Sequence, residues 1–187
     1  MNFERAQIKS LFVFVAAVLL TAGITLSAQD PVRNAIRENE EKVDRKIVDE
    51  GVAEFLVRAA ENRLMNINES KLAVLKGATS DVRNYGQLMI MDQTAMLEEI
   101  RKIAGERGIT LPDGVSDKKR EGQMDLSEES GKAFDEKFLK MIESGLERDI
   151  KLFENAKNVN DDGVVAFVKE HLPLIQSHLQ QLQDLKE

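Results

Sequence analysis

From Val48 onward apolar residues recur every three to four positions in four long stretches, and the breaks between them fall at intervals that suit helices rather than strands. The first stretch runs from Val48 to Lys76 and stops at Gly77, with Thr79, Ser80 and Asp81 offering N-cap side chains for the next. The second runs from Val82 to Arg107, with Gly108 and Pro112 beyond it. The third spans Lys132 to Lys157; a turn from Asn158 to Asp162 then leads into the fourth, Val164 to Leu185. At about 100° per residue each stretch presents one broad apolar face. That face holds Leu56, Ala60, Leu64 and Ile67 in the first helix and Tyr85, Met89, Met96 and Ile100 in the second. It holds Phe138, Ile142, Leu146 and Phe153 in the third, and Val164, Val168, Leu172, Ile175 and Leu182 in the fourth.

Four helices with one apolar face each close around a single core, which predicts an all-α, antiparallel four-helix bundle over residues 48–187. The short turns make two helical hairpins. Between them, the polar stretch from Leu111 to Ser130 carries Gly114 and Gly122 and no sustained periodicity, so it reads as a longer crossover loop. Residues 29–47 form a charged N-terminal extension with helical character and no assigned docking face. Residues 1–28 have the layout of a signal peptide: Arg5 and Lys9 precede an apolar run from Leu11 to Leu20, and small residues end at Ala28, before Gln29. A retained membrane anchor is the other reading of this segment, and it would be the chain's one membrane contact.

Composition narrows the picture. The 187-residue chain carries a formal charge of −7, which disfavours a nucleic-acid footprint, since phosphate binding needs clustered Lys and Arg. With no cysteine there is no disulfide, no thiolate metal site, no cysteine nucleophile and no lipoprotein anchor. Phosphate-binding glycine loops, nucleophile elbows and His-Glu-x-x-His motifs are also missing. Met89, Met91 and Met96, at helical spacing, read as core filling.

The informative positions are polar residues inside the apolar arcs: Arg63, Ser70 and Lys71, then Asp92 and Gln93, then Asp149, then His171 and His178. Burying such groups costs several kcal/mol, on the order of 2–7 for an unpaired neutral one, so each needs a partner. One reading is an ion-paired or hydrogen-bonded layer, such as Arg63 with Asp149 or Asp92. The other is a metal or ligand site. His171 and His178 stand roughly 10 Å apart along a helix, too far to share one ion. No glutamate lies three residues before either, so the Glu-x-x-His pair of di-iron bundles is missing.

Several runs together resemble a bacterial family of exported, ferritin-like four-helix proteins of unknown function, grouped with outer-membrane and periplasmic proteins. They are Ala59 to Ile67, Lys71-Leu72-Ala73, Met89 to Thr94, Gly108 to Pro112, Phe134-Asp135, Asp149 with Phe153, Leu172-Pro173 and His178-Leu179. The resemblance covers residues 48–185. It implies a Glu in the first helix, Asp-His in the second, Asp-His in the third and a His in the fourth. Those positions here are Asn66, Asp92-Gln93, Gly145-Leu146 and His178, so one histidine of three remains. A transition-metal site would be reduced to His178 with Asp92 and Asp149.

Three functional readings follow. The leading one is a non-catalytic structural or interaction module of the cell envelope, periplasmic or outer-envelope associated, without a cofactor. Its partner would be a protein or a small ligand, and a homo-oligomer is compatible with it. The second is a ferritin-like metal-binding or redox protein using Asp92, Asp149 and His178. The third is an amphipathic carrier of apolar ligands at a membrane surface, which the acidic balance disfavours.

Overall fold

The computed structural model describes residues 30–186, which form six α-helices and one short 3-10 turn, with no strand among the described residues. The helices are α1 (Pro31–Asp44), α2 (Glu50–Lys76), α3 (Ser80–Glu106), α4 (Asp117–Glu128), α5 (Gly131–Asn155) and α6 (Asp162–Asp184), with the 3-10 turn at Ala156–Asn158. The segment read as a signal peptide, 1–28, lies outside the described residues. Among the described residues no helix is long and apolar enough to cross a membrane.

The four periodic stretches are α2, α3, α5 and α6, and their ends follow the expected caps. Thr79 accepts a hydrogen bond from the Val82 N–H, and Asp161, one residue before the expected Asp162, accepts from that of Val164. Gly108, just past α3, takes a positive φ of 66°, a conformation that glycine adopts without a Cβ clash. α2 packs on α3 and α5, and α6 packs on both α3 and α5. Cross-contacts run in opposite senses in each pair: Arg63 meets Met96 and Asn66 meets Gln93 between α2 and α3, while Asp92 meets His178 and Glu99 meets His171 between α3 and α6. Phe55, Phe153 and Phe167 stack edge-on or tilted at 5.3–6.4 Å at one end of the core. At Gly86 a Cβ would sit 3.0 Å from both the Ala73 Cβ and the Ser70 carbonyl oxygen, so its bareness lets α2 and α3 approach closely.

Two elements depart from expectation. The crossover read as a loop contains the twelve-residue α4, a run of good helix formers that buries only Leu126 and so has no apolar stripe to read. α4 has no cap of its own. Instead Asp30 accepts from the Asp117 N–H at 3.1 Å while its other oxygen caps α1 through Val32 and Arg33, and Glu61 accepts from the Ser116 N–H at 3.1 Å. The charged extension is also a docked helix: α1 begins with Pro31 in its first turn and sets Val32 and Ala35 against Val57 of α2. Polar clamps tie the ends together. Asp135 accepts from the N–H groups of Ala78 and Thr79 at 2.9 and 3.0 Å, and Arg107 donates twice to Asp161 at 2.6 Å.

Candidate functional site

Arg63, in the middle of α2, is wholly buried, so its charge requires a counter-ion inside the protein. Asp149 of α5 supplies it in an ion pair that is itself fully buried. Asn62 also donates to Asp149, at 2.5 Å, and Asn66 donates to it at 3.5 Å and to Gln93 of α3 at 3.4 Å. The guanidinium lies 5.6 Å from the Phe153 ring centre and donates to the Met96 sulfur at 3.7 Å. Burial lowers its pKa to about 9, so it stays charged at neutral pH.

A second pair lies between α3 and α6. His178 Nε2 lies 2.8 Å from an Asp92 carboxylate oxygen, and Asp92 is partly open to solvent while the imidazole is not. Burial lowers the His178 pKa; the hydrogen bond and charge of Asp92 oppose this and the Arg63 charge adds to it, so the neutral imidazole is the favoured form. Five buried polar atoms have no hydrogen-bond partner among the described residues: Arg63 Nε, Glu69 Oε1, Ser70 Oγ, Gln93 Nε2 and His178 Nδ1. α4 closes one side of the layer. Its Lys119 donates to Asn62 at 2.5 Å and pairs with Glu61 at 3.1 Å. Beneath it burial lifts the Glu69 carboxyl to about 7, against the opposing charges of Arg148 and Lys119.

Of the three residues proposed as metal ligands, the fold brings Asp92 and His178 together and commits Asp149 to Arg63. The guanidinium binds the carboxylate that a cation would share, and its charge opposes one. The positions singled out through the family resemblance do converge: Asn66 bonds to Gln93, and a Cβ on Gly145 would sit 3.3 Å from Asn66 Oδ1. Lys71, expected inside the arc, is exposed because it lies at the edge of the stripe. Asn62 and Glu69 escape a reading of the stripe because they flank it: Asn62 is bonded by Lys119 of α4, and Glu69 is buried within reach of the same charge. Met89 and Met96 fill the core as expected, whereas Met91 points to solvent.

A separate cluster joins His171 to Glu99, at 2.9 Å, and to Glu170, with one ligand atom from each within 4.8 Å of the others. Both carboxylates are exposed and the imidazole is buried against Phe167, with ring centres 4.5 Å apart. Helical spacing alone does not reveal this group, because Glu99 comes from a different helix.

Comparison with known proteins adds the following. A family model described as "Domain of unknown function (DUF4142)" matches residues 39–185. The crystal structure of a DUF305 fragment from Deinococcus radiodurans is similar in fold, with a TM-score of 0.67 at 8% identity over 74% of this chain and 96% of that one. No curated protein matches the chain.

Proposed function

The chain belongs to the DUF4142 family, and on that premise we propose that it is an exported, non-catalytic interaction module of the cell envelope, built as a ferritin-like four-helix bundle whose polar core has a structural role. The observation that carries this reading is the inward pairing of the core. Arg63 is matched by Asp149 and His178 by Asp92, so the ionisable groups are spent on one another rather than held ready for a substrate. Catalysis on a small molecule needs reacting groups that a ligand can reach, and Arg63, Ser70, Gln93, Asp149 and His178 are all buried. Partners are a protein or a small ligand met at the surface, with nucleic acid disfavoured by the net charge of −7. The bundle reading is supported by the two antiparallel pairs, α2 with α3 and α3 with α6, and by the short α5–α6 turn. Export is supported by the basic and apolar N-terminal pattern and by the caps: cleavage after Ala28 would leave Asp30, which holds both α1 and α4, on the mature chain.

One observation favours the second reading, a transition-metal or redox site rebuilt around Asp92, Asp149 and His178. The Asp92 carboxylate beside Nε2 orients the His178 ring and leaves Nδ1 buried and unpartnered, as in carboxylate–histidine metal sites. The charge of Arg63 opposes it. Elemental analysis of the chain recovered from an exporting host, without chelators or affinity metals, separates the two. The interaction reading expects no stoichiometric metal in the protein or in His178→Ala; a stoichiometric metal lost in that variant would establish the second reading instead.

A further inference from the structure

α1 touches α2 through a small apolar cluster, Val32 and Ala35 against Val57, and farther along the pair a groove of about 440 Å³ opens between the two helices. Its apolar lining comes from Ile36 and Val43 of α1 and Ala53 and Val57 of α2. Four carboxylates and one base rim it: Glu40 and Asp44 on the α1 side, Glu50, Glu54 and Arg58 on the α2 side. The spacing is helical on both walls. Positions 36, 40, 43 and 44 share one face of α1, and positions 50, 53, 54 and 57 share one face of α2. Each wall offers about two turns, roughly 12 Å at 1.5 Å rise per residue.

Three features set this surface apart from an ordinary solvated one. Glu54 is paired with Arg58, but Glu40, Asp44 and Glu50 form no ion pair among the described residues, so three carboxylates face the groove uncompensated. Asp44 is the last residue of α1, where the negative end of the helix dipole disfavours an acid. Ile36, which lines the groove, is 43% exposed, and Ile47, in the connection between the same two helices, is 60% exposed. An apolar floor inside an acidic rim is complementary in shape and sign to a helix with one apolar stripe flanked by bases.

We propose that the α1–α2 groove docks a basic amphipathic helix of a partner protein. Apolar side chains of the partner sit over Ile36 and Val43, and Lys or Arg side chains reach Glu40, Asp44 and Glu50. This rests on the interaction reading above and names the chemistry of the partner.

The probe is a short fluorescein-labelled peptide of leucine and lysine with leucine at helical spacing, beside a scrambled peptide of the same composition. Fluorescence anisotropy on the purified protein is expected to give saturable binding that weakens as salt rises, with the scrambled peptide at least about tenfold weaker, a difference near 1.4 kcal/mol. Combined Glu40→Gln, Asp44→Asn and Glu50→Gln, or Ile36→Ser alone, is expected to weaken binding by about tenfold or more. A control triple on exposed acids elsewhere, Asp113→Asn, Glu121→Gln and Glu147→Gln, leaves it unchanged. The proposal is overturned if the control triple weakens binding as much as the groove triple, if the scrambled peptide binds equally, or if no saturable binding is found. It is also overturned if dodecylamine fills the groove and excludes the peptide at lower concentration, or if the chain dimerises on rising concentration in a manner abolished by Ile36→Ser. Because none of these readouts involves a metal, failure here leaves the elemental test of the interaction reading intact.

Discussion

Between α2, α3, α5 and α6 the ionisable side chains are paired inward: Arg63 with Asp149 and His178 with Asp92, while Lys119 of α4 pairs with Glu61 and donates to Asn62 along one side. In the groove between α1 and α2 the same residue types behave differently, because Glu40, Asp44 and Glu50 rim an apolar floor unpaired, the one base of the lining, Arg58, being taken by Glu54. Burial accounts for the contrast. A charge withdrawn from water must find its partner within the fold, whereas a half-solvated carboxylate can wait for one from outside. The interior layer is therefore where stability is most sensitive to charge, and the groove is where charge can change with little effect on folding.

The sharpest way to break this contrast is Asp149→Ala, which strands Arg63 in the core and removes the acceptor of Asn62. We expect a loss of about 3–5 kcal/mol in urea unfolding. Replacing both partners, Arg63→Met with Asp149→Leu, is expected to recover more than half of it. A loss below about 1 kcal/mol for the single variant would mean that water reaches the layer and the contrast fails.

The next effect is in pH. The Glu69 carboxyl is raised to about 7 in the folded chain from 4.5, so between those values the folded state holds a proton that the unfolded state has released. Its contribution is present below pH 4.5 and is lost as pH rises to about 7, a fall on the order of 3 kcal/mol. His178 acts in the opposite sense: its lowered pKa contributes stability above the unfolded value of 6.5, lost as pH falls through it toward the folded value. Comparing the protein with Glu69→Gln across this range isolates the Glu69 term, and the variant is expected to lose the downward slope. Parallel curves would show that Glu69 ionises freely beneath α4.

The smallest expected effect completes the set. The groove triple Glu40→Gln, Asp44→Asn and Glu50→Gln is expected to change unfolding stability by less than about 0.5 kcal/mol per site, with any change toward stabilisation, since it relieves like-charge repulsion and the misplaced acid at the end of α1. A large loss would mean that these carboxylates hold the fold rather than face a partner.

What could be read from the chain depended on whether a residue's neighbours lay on its own helix. α2, α3, α5 and α6 were legible because each buries a continuous stripe of its own, and Arg63, Asp149 and His178 stood out as polar residues inside those stripes. α4 was not legible: its one apolar anchor, Leu126, leaves no period, and its N-terminus is capped by residues more than fifty positions away. α1 was recognised as charged and helical but not as docked, since its apolar contact is only Val32 and Ala35 on Val57 and its other ties, Asn39 and Lys42 to Thr110 and Gly108, are polar and distant in sequence.

The sequence by itself determined the all-α class, the positions of the four long helices and the presence of polar groups in their apolar faces, because helical periodicity and caps are local physics. Only the tertiary structure decided that Arg63 takes Asp149 while Asp92 takes His178, that α4 covers Glu69, and that α1 and α2 leave an acid-rimmed groove between them. Those outcomes turn on how the helices are set against one another, where a shift of one residue, about 1.5 Å and 100°, would exchange the partners.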